Sequence, residues 1–354
     1  MKKWRIASLI AMLTLILSGC GKPFLSALDP AGEVAQKQFD LMILSTSIMV
    51  LVIIVVVILF VLAILKFRRK KGDESIPKQI EGNHKLEILW TVIPIVLLVI
   101  LAIPTIYYTF DFANVSAMDK KDSKDGKSSA LTVNVRASLY WWEFEYPGEG
   151  IMTGQELVVP TDEKVYFNLH ASDVKHSFWV PSAGGKMDTN TDNVNKFWLV
   201  FDDKKSEDAG RTFYGKCAEL CGPSHALMDF KVKALPRDEF DEWVSKMKAA
   251  TPAEPKDAVA KEGQEIFNKS CIGCHAVDPK DQRPEQARLG PNLANFGDRA
   301  LVAGILENTK GNVEKWISDP ESVKEGNKMT GKYGDLSKDQ VNALATYLET
   351  LSVK

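Results

Sequence analysis

The 354-residue chain is poor in cysteine, with five, and has no excess of either charge: 44 lysines and arginines face 46 aspartates and glutamates, for a formal net charge of -2. That balance excludes a strongly basic nucleic-acid binder and any strong global field. The scarcity of cysteine excludes a dense disulfide framework. None of the five is a scattered core residue, however: Cys20 stands alone, Cys217 and Cys221 form one close pair, and Cys271 and Cys274 another. Such pairing points to metal or cofactor chemistry. Long uncharged runs are missing after Phe110 but occur twice before it, so the chain reads as a membrane-attached part followed by ordinary soluble protein. Its length allows two or three domains.

Lys2, Lys3 and Arg5 precede an apolar stretch, Ile6 to Leu17, that is too short to span a bilayer comfortably and ends in Leu17-Ser18-Gly19-Cys20. The pattern resembles a bacterial lipoprotein signal, in which residues 1–19 are removed and Cys20 becomes a lipid-modified N-terminus. An ordinary signal peptide with an incidental cysteine is the alternative.

Leu41 to Leu65 and Ile88 to Phe110 carry no charge. At about 1.5 Å rise per residue each can cross a hydrocarbon core of about 30 Å. Pro94 and Pro104 in the second are tolerable where neighbours re-satisfy the freed carbonyls. Lys66, Arg68, Arg69, Lys70, Lys71, Lys78 and Lys85 lie between the runs. The positive-inside rule then puts this loop in the cytoplasm and everything after Phe110 outside. The cysteines downstream would meet an oxidising compartment.

Ser116 to Ser129 reads as a polar spacer. Leu131-Thr132-Val133-Asn134-Val135, Val165-Tyr166-Phe167-Asn168-Leu169 and Phe197-Trp198-Leu199-Val200-Phe201 are strand-like runs separated by Gly, Pro and Asp, which predicts a Greek-key sandwich or barrel. A short helix is expected over Arg237–Ala249, a linker at Thr251 to Lys256, and helices over Ala258–Asn268 and Asp339–Leu351. The expected segments are thus a signal (1–19), a membrane hairpin (20–115), an all-β domain (128–248) and an all-α domain (257–354).

Cys217-Ala218-Glu219-Leu220-Cys221-Gly222-Pro223-Ser224-His225-Ala226-Leu227-Met228 places two thiols, an imidazole and a thioether within twelve residues. Soft sulfur with imidazole selects copper. One thiolate more than a mononuclear electron-transfer site needs makes a sulfur-bridged copper pair the economical interpretation. A second histidine must come from upstream, where the same domain holds His170 and His176. A Cys217–Cys221 disulfide and a structural zinc are the competing readings.

With Asp173-Val174-Lys175-His176-Ser177-Phe178 ahead of it, the stretch resembles the CuA domain of cytochrome c oxidase subunit II, C-x-E-x-C-x3-H-x2-M after D-V-x-H-S-F. The resemblance implies a cupredoxin-like fold and a binuclear copper centre. Cys217 and Cys221 would be bridging thiolates, His176 and His225 terminal ligands, and Met228 and the Glu219 carbonyl weak axial ligands. The Glu219 carboxylate would face a magnesium ion shared with the catalytic subunit. Independently of the resemblance, His170 alone reads as a strand or packing histidine.

Cys271-Ile272-Gly273-Cys274-His275 fits the C-x-x-C-H signature for covalent haem c, with a thioredoxin-like redox pair as the alternative; the flanks are helical and offer no βαβ context. Cytochromes c commonly set Met opposite His, and Met329 is the one methionine after Met247. Gly290-Pro291-Asn292-Leu293 resembles the class I cytochrome c loop in which a proline carbonyl, here that of Pro291, holds the proximal histidine. The order of parts matches the caa3-type oxidases, where a cytochrome c is fused behind the CuA domain.

That resemblance implies a bacterial membrane subunit with both redox domains on the outer face. An external donor, a cytochrome c or a bc-type complex, would reduce the haem. The electron would pass to the copper pair and on to haem a and the haem a3–CuB centre of subunit I, where oxygen is reduced in a proton-translocating enzyme. Further oxidase subunits and membrane lipid are the other partners; nucleic acid is not. In Tyr140-Trp141-Trp142-Glu143 the family's first tryptophan, which takes electrons from soluble cytochrome c, is replaced by Tyr140. Glu87 matches a family glutamate at the mouth of a proton path. A copper carrier and a standalone electron carrier are the other classes; a quinol oxidase subunit would lack the copper ligands. A general base, nucleophile or open metal position is not evident, so the cofactors carry the chemistry.

Overall fold

The computed structural model describes residues 8, 12, 24–69, 71–72, 74, 76, 79, 81–120, 130–251 and 254–353. Cys20 and most of the leader lie outside the described residues. The chain divides into two units, residues 36–114 and the remainder.

The first unit is a helical hairpin of α1 (Glu33–Phe67) and α2 (His84–Ala113), each long and apolar enough to cross a membrane. Both helices outrun the uncharged stretches read from sequence. The extra turns of α1 carry Glu33, Lys37 and Asp40, and Lys37 Nζ closes onto Asp111 of α2 at 2.7 Å. Asn83 caps α2 by accepting from the amides of Lys85 and Leu86.

The second unit begins as a sandwich of two five-stranded sheets. One has the order β3 (Ile151–Gly154), β2 (Trp141–Tyr146), β1 (Thr132–Ser138), β5 (Val165–Ala171), β8 (Asn195–Leu199). The other runs β4 (Glu156–Pro160), β10 (Asp229–Leu235), β9 (Thr212–Cys217), β6 (His176–Val180), β7 (Gly184–Thr189). Alternation sends Trp142, Phe144, Phe167, Phe178 and Phe230 inward, with the Trp142 ring 5.2 Å from Phe230 and Phe178 4.9 Å from Phe230. Short helix α3 (Asp203–Asp208) precedes β9, and α4 (Arg237–Ala249) closes the domain where the sequence places it.

The last domain packs α5 (Ala258–Ser270) against α8 (Lys338–Glu349), with α6 (Lys310–Ser318) and α7 (Pro320–Val323) completing the shell. Its core joins Phe267, Val302, Val313, Leu344 and Tyr347. Gly263 permits the α5–α8 contact: a Cβ there would stand 2.0 Å from the Ala343 carbonyl oxygen. A Ser337–Gln340 capping box starts α8.

In a half-exposed sheet, residues on the outer face meet water. Strands β1 and β2 depart from that rule: Arg136, Trp141 and Glu143 point outward yet are buried. The helical domain covers them. Arg136 pairs with Glu143 across the strands at 2.8 Å, and Arg288 of the helical domain reaches the same carboxylate at 2.9 Å.

Candidate copper centre and haem cavity

Two strand ends and one loop build the sulfur-rich site. His176 opens β6, Cys217 closes β9, and the turn to β10 carries Cys221, His225 and Met228. Cys217 Sγ lies 3.9 Å from His176 Nδ1 and 3.9 Å from Cys221 Sγ; Cys221 Sγ lies 3.6 Å from His225 Nδ1 and 4.0 Å from Met228 Sδ. The Glu219 carbonyl is 3.4 Å from Cys217 Sγ. His176, Cys217 and Cys221 form a candidate metal-holding group, and both cysteines are free thiols.

The spacing separates the disulfide reading of the pair from a shared-metal one. A disulfide needs sulfurs at about 2.05 Å, so at 3.9 Å these are unbonded. Each can instead lie about 2.3 Å from a shared soft cation. His176 Nε2–H donates to Asp173 Oδ1 at 2.9 Å, which fixes the tautomer and turns the Nδ1 lone pair toward the thiols. The Trp142 indole donates to the Met228 carbonyl at 3.2 Å, tying the aromatic core to the ligand loop.

Charge favours a cation here. Burial pushes the Cys217 thiol up, but its contact with the His176 ring and hydrogen bonds from backbone amides outweigh it and leave it below the usual range. Cys221 is pushed up by burial and by its neighbour's thiolate. One proton leaves readily and the second resists, a resistance that bound positive charge would overcome.

The helical domain encloses a cavity of about 670 Å³ lined by Cys271, Cys274, His275, Pro291 and Met329. His275 Nδ1–H donates to the Pro291 carbonyl at 2.8 Å, leaving Nε2 for a metal. Burial, with Arg299 and Arg283 adding to it, holds the imidazole below its usual pKa and so in the neutral form a metal takes. Gly290 is required beside it, because a Cβ there would sit 2.5 Å from the His275 ring. The mainly apolar wall and the two free thiols beside a tautomer-fixed imidazole suit a covalent haem. A thioredoxin-like role finds no βαβ unit around Cys271 among the described residues.

Sequence reasoning noted Tyr140 only as a departure from the family's tryptophan and missed the other groups that join the two sites. Tyr140 and Trp141 of the sandwich line the haem cavity, as does Lys324 of the helical domain. Lys324 is 2% exposed, and burial pushes its pKa down to about 7, with Asp229 and Cys221 pulling the other way. His170, read as a packing histidine, is half-buried and lies 3.0 Å from Glu285 of the helical domain. Glu87 sits in the first turn of α2, 3.7 Å from His84.

Three family matches tile the chain. Residues 26–107 match the transmembrane domain of cytochrome c oxidase subunit II, residues 105–235 its periplasmic domain, and residues 260–352 cytochrome c. This chain belongs to the cytochrome c oxidase subunit II family. A cytochrome c oxidase subunit 2 from Bacillus sp. strain PS3 is 65% identical, covering 99% of this chain and 98% of that protein. One from Bacillus subtilis strain 168 is 60% identical, covering 100% and 99%. A quinol oxidase subunit 2 from Bacillus anthracis is 32% identical but covers 78% of this chain. The subunit II domain implies a CuA copper centre and the cytochrome c domain a haem, and the two apolar helices anchor the subunit in the membrane.

Proposed function

We propose that this chain is the electron-accepting subunit of a caa3-type oxidase, relaying electrons from a covalent haem c to the copper pair and on to subunit I. The convergence of two thiols and two imidazoles at 3.6 to 3.9 Å, inside the unit that also holds the haem cavity, carries the reading. When bound, the haem iron and the copper pair each supply one-electron redox chemistry.

The chain's own residues hold and insulate these groups. Cys217 and Cys221 would hold the copper pair through their sulfurs, with His176, His225, Met228 and the Glu219 carbonyl as its further ligands. Cys271 and Cys274 would tether the haem, and His275, oriented by Pro291, and Met329 would hold its iron. Buried Arg299 and half-buried Tyr333 supply polar groups to the cavity wall. The donor is a cytochrome c or bc-type complex, and oxygen chemistry stays in subunit I. The Glu219 carboxylate borders a magnesium site shared with that subunit, and Glu87 stands at the mouth of its proton path.

The same reading divides the chain into a signal (1–19), a hairpin (20–115), a copper domain (128–248) and a cytochrome domain (257–354). Cys20 carries the lipid, and both redox domains face outward because the lysine- and arginine-rich turn between α1 and α2 stays inside. Metal analysis with optical and EPR spectra of the purified subunit tests the relay. Two coppers and one covalent haem per chain are expected, and Cys217→Ser should abolish the copper signal while the haem bands persist. Zinc, or a single blue copper, would sink the assignment.

A further inference from the structure

The relay leaves one feature unused: a run of residues just ahead of Met329 that is bonded to the copper domain at almost every step. Lys324 Nζ donates to the Tyr140 carbonyl at 2.9 Å. Ser224, inside the copper-ligand loop, donates through Oγ to the Glu325 carbonyl at 2.9 Å. Gly326, at φ +72°, packs so closely that a Cβ would stand 3.2 Å from Pro223. Lys328 forms an ion pair with Asp173, the carboxylate that also accepts the hydrogen bond from His176 Nε2–H. Met329 follows immediately.

These contacts are not needed to fold the cytochrome domain, whose core lies elsewhere in Phe267, Val313, Leu344 and Tyr347. A lysine ammonium is rarely buried without strong compensation. Lys324 is buried to fasten one particular atom, the carbonyl of Tyr140. That tyrosine's hydroxyl abuts Gly222 of the copper-ligand loop, where a Cβ would stand 2.4 Å from it. Tyr140 therefore has the copper loop on one side and the haem cavity on the other.

We propose that Lys324 and Lys328 are positioning residues, a two-point latch that holds the Met329 segment against the copper ligands and fixes the separation of the two redox sites. The inference rests on the relay proposed above. A tether alone supplies high effective concentration but no fixed geometry, and electron transfer falls steeply with distance. One arm of the latch grips the backbone beside the copper loop; the other grips the carboxylate that orients a copper ligand. The haem side and the copper side thus share mechanical fixtures.

Lys324→Met and Lys328→Met, singly and together in the assembled oxidase, provide the test, with Lys328→Arg as the conservative control. Two quantities are read: the rate of copper reduction after flash reduction of the haem, and amide hydrogen exchange over residues 324–329. The double variant should slow the inter-site step by about tenfold, because losing a buried hydrogen bond and an ion pair lowers the population of the close geometry. Exchange over the segment should quicken, copper and haem contents should hold, and Lys328→Arg should restore the rate. If Lys324→Met fails to assemble, the half-exposed Lys328 and its arginine control still decide the matter. Wild-type rates with wild-type exchange in the Lys328→Met oxidase would overturn the latch. Absence of haem-to-copper transfer in the unmodified oxidase would instead overturn the relay, while the exchange comparison would still judge the latch.

Discussion

At the scale of single residues, charge burial sets the sharpest expectations. Glu143 is 2% exposed and held by Arg136 and Arg288, two guanidiniums from different domains. Removing its charge while keeping its shape strands both cations in a dry junction. Glu143→Gln should therefore destabilise the soluble unit by about 3 kcal/mol, read as a lowered unfolding midpoint. Lys231 offers a pH signature. Burial pushes its ammonium from 10.5 to about 8, with Lys216 adding to the effect and Asp229 and Glu156 opposing it. A base whose folded pKa is depressed binds its proton better when unfolded. This residue's contribution to stability is therefore full above pH 10.5 and falls as pH drops toward 8. Unfolding followed between pH 8 and 10.5 should show stability rising with pH, and Lys231→Met, which keeps the apolar stem over Tyr214, should remove that part of the slope.

At the scale of elements, local periodicity made most of the architecture legible. The helix over Arg237–Ala249 follows from its amphipathic spacing, and the strands from β-branched and aromatic runs between turn residues. The proposed copper ligands were legible because four of the five side chains fall in one short loop and its strand end. What could not be read was the junction. Arg136 meets Arg288 and Lys324 meets Tyr140 across more than a hundred residues, and period-two patterning says nothing about a second domain covering an outer sheet face. Arg136 and Glu143 look like ordinary solvent-facing strand residues until Arg288 arrives. Close backbone approach is equally silent in sequence. Gly263 lies mid-helix, where glycine disfavours helix, and its reason is the Ala343 carbonyl opposite. Gly263→Ala should gain helix propensity yet lose about 1–3 kcal/mol to overpacking. Thermal melting of the haem bands would register the net loss, and a higher melting point would show that α5 and α8 can separate without penalty.

At the scale of the whole molecule, one chain carries a membrane hairpin and two redox domains, and the order of those domains has a consequence. If the haem is the receiving site and the copper pair the exit, removing copper should divide the chain's activity instead of abolishing it. Copper-depleted subunit, prepared by chelation under reducing conditions, should keep its haem, because the proposed thioether bonds to Cys271 and Cys274 would not be broken by a chelator. An added donor should then reduce the haem at an undiminished rate. Re-oxidation by oxygen through the assembled oxidase should fall by more than about a hundredfold, the scale of losing an obligatory step. Returning copper should restore it only where Cys217 and Cys221 remain free thiols, since a bond between them would bring sulfurs now 3.9 Å apart to about 2.05 Å and leave no room for a bridging pair. Rapid haem re-oxidation without copper would mean that electrons leave the cytochrome domain by another route. Tyr140 and the latch would then join domains that have no need to communicate.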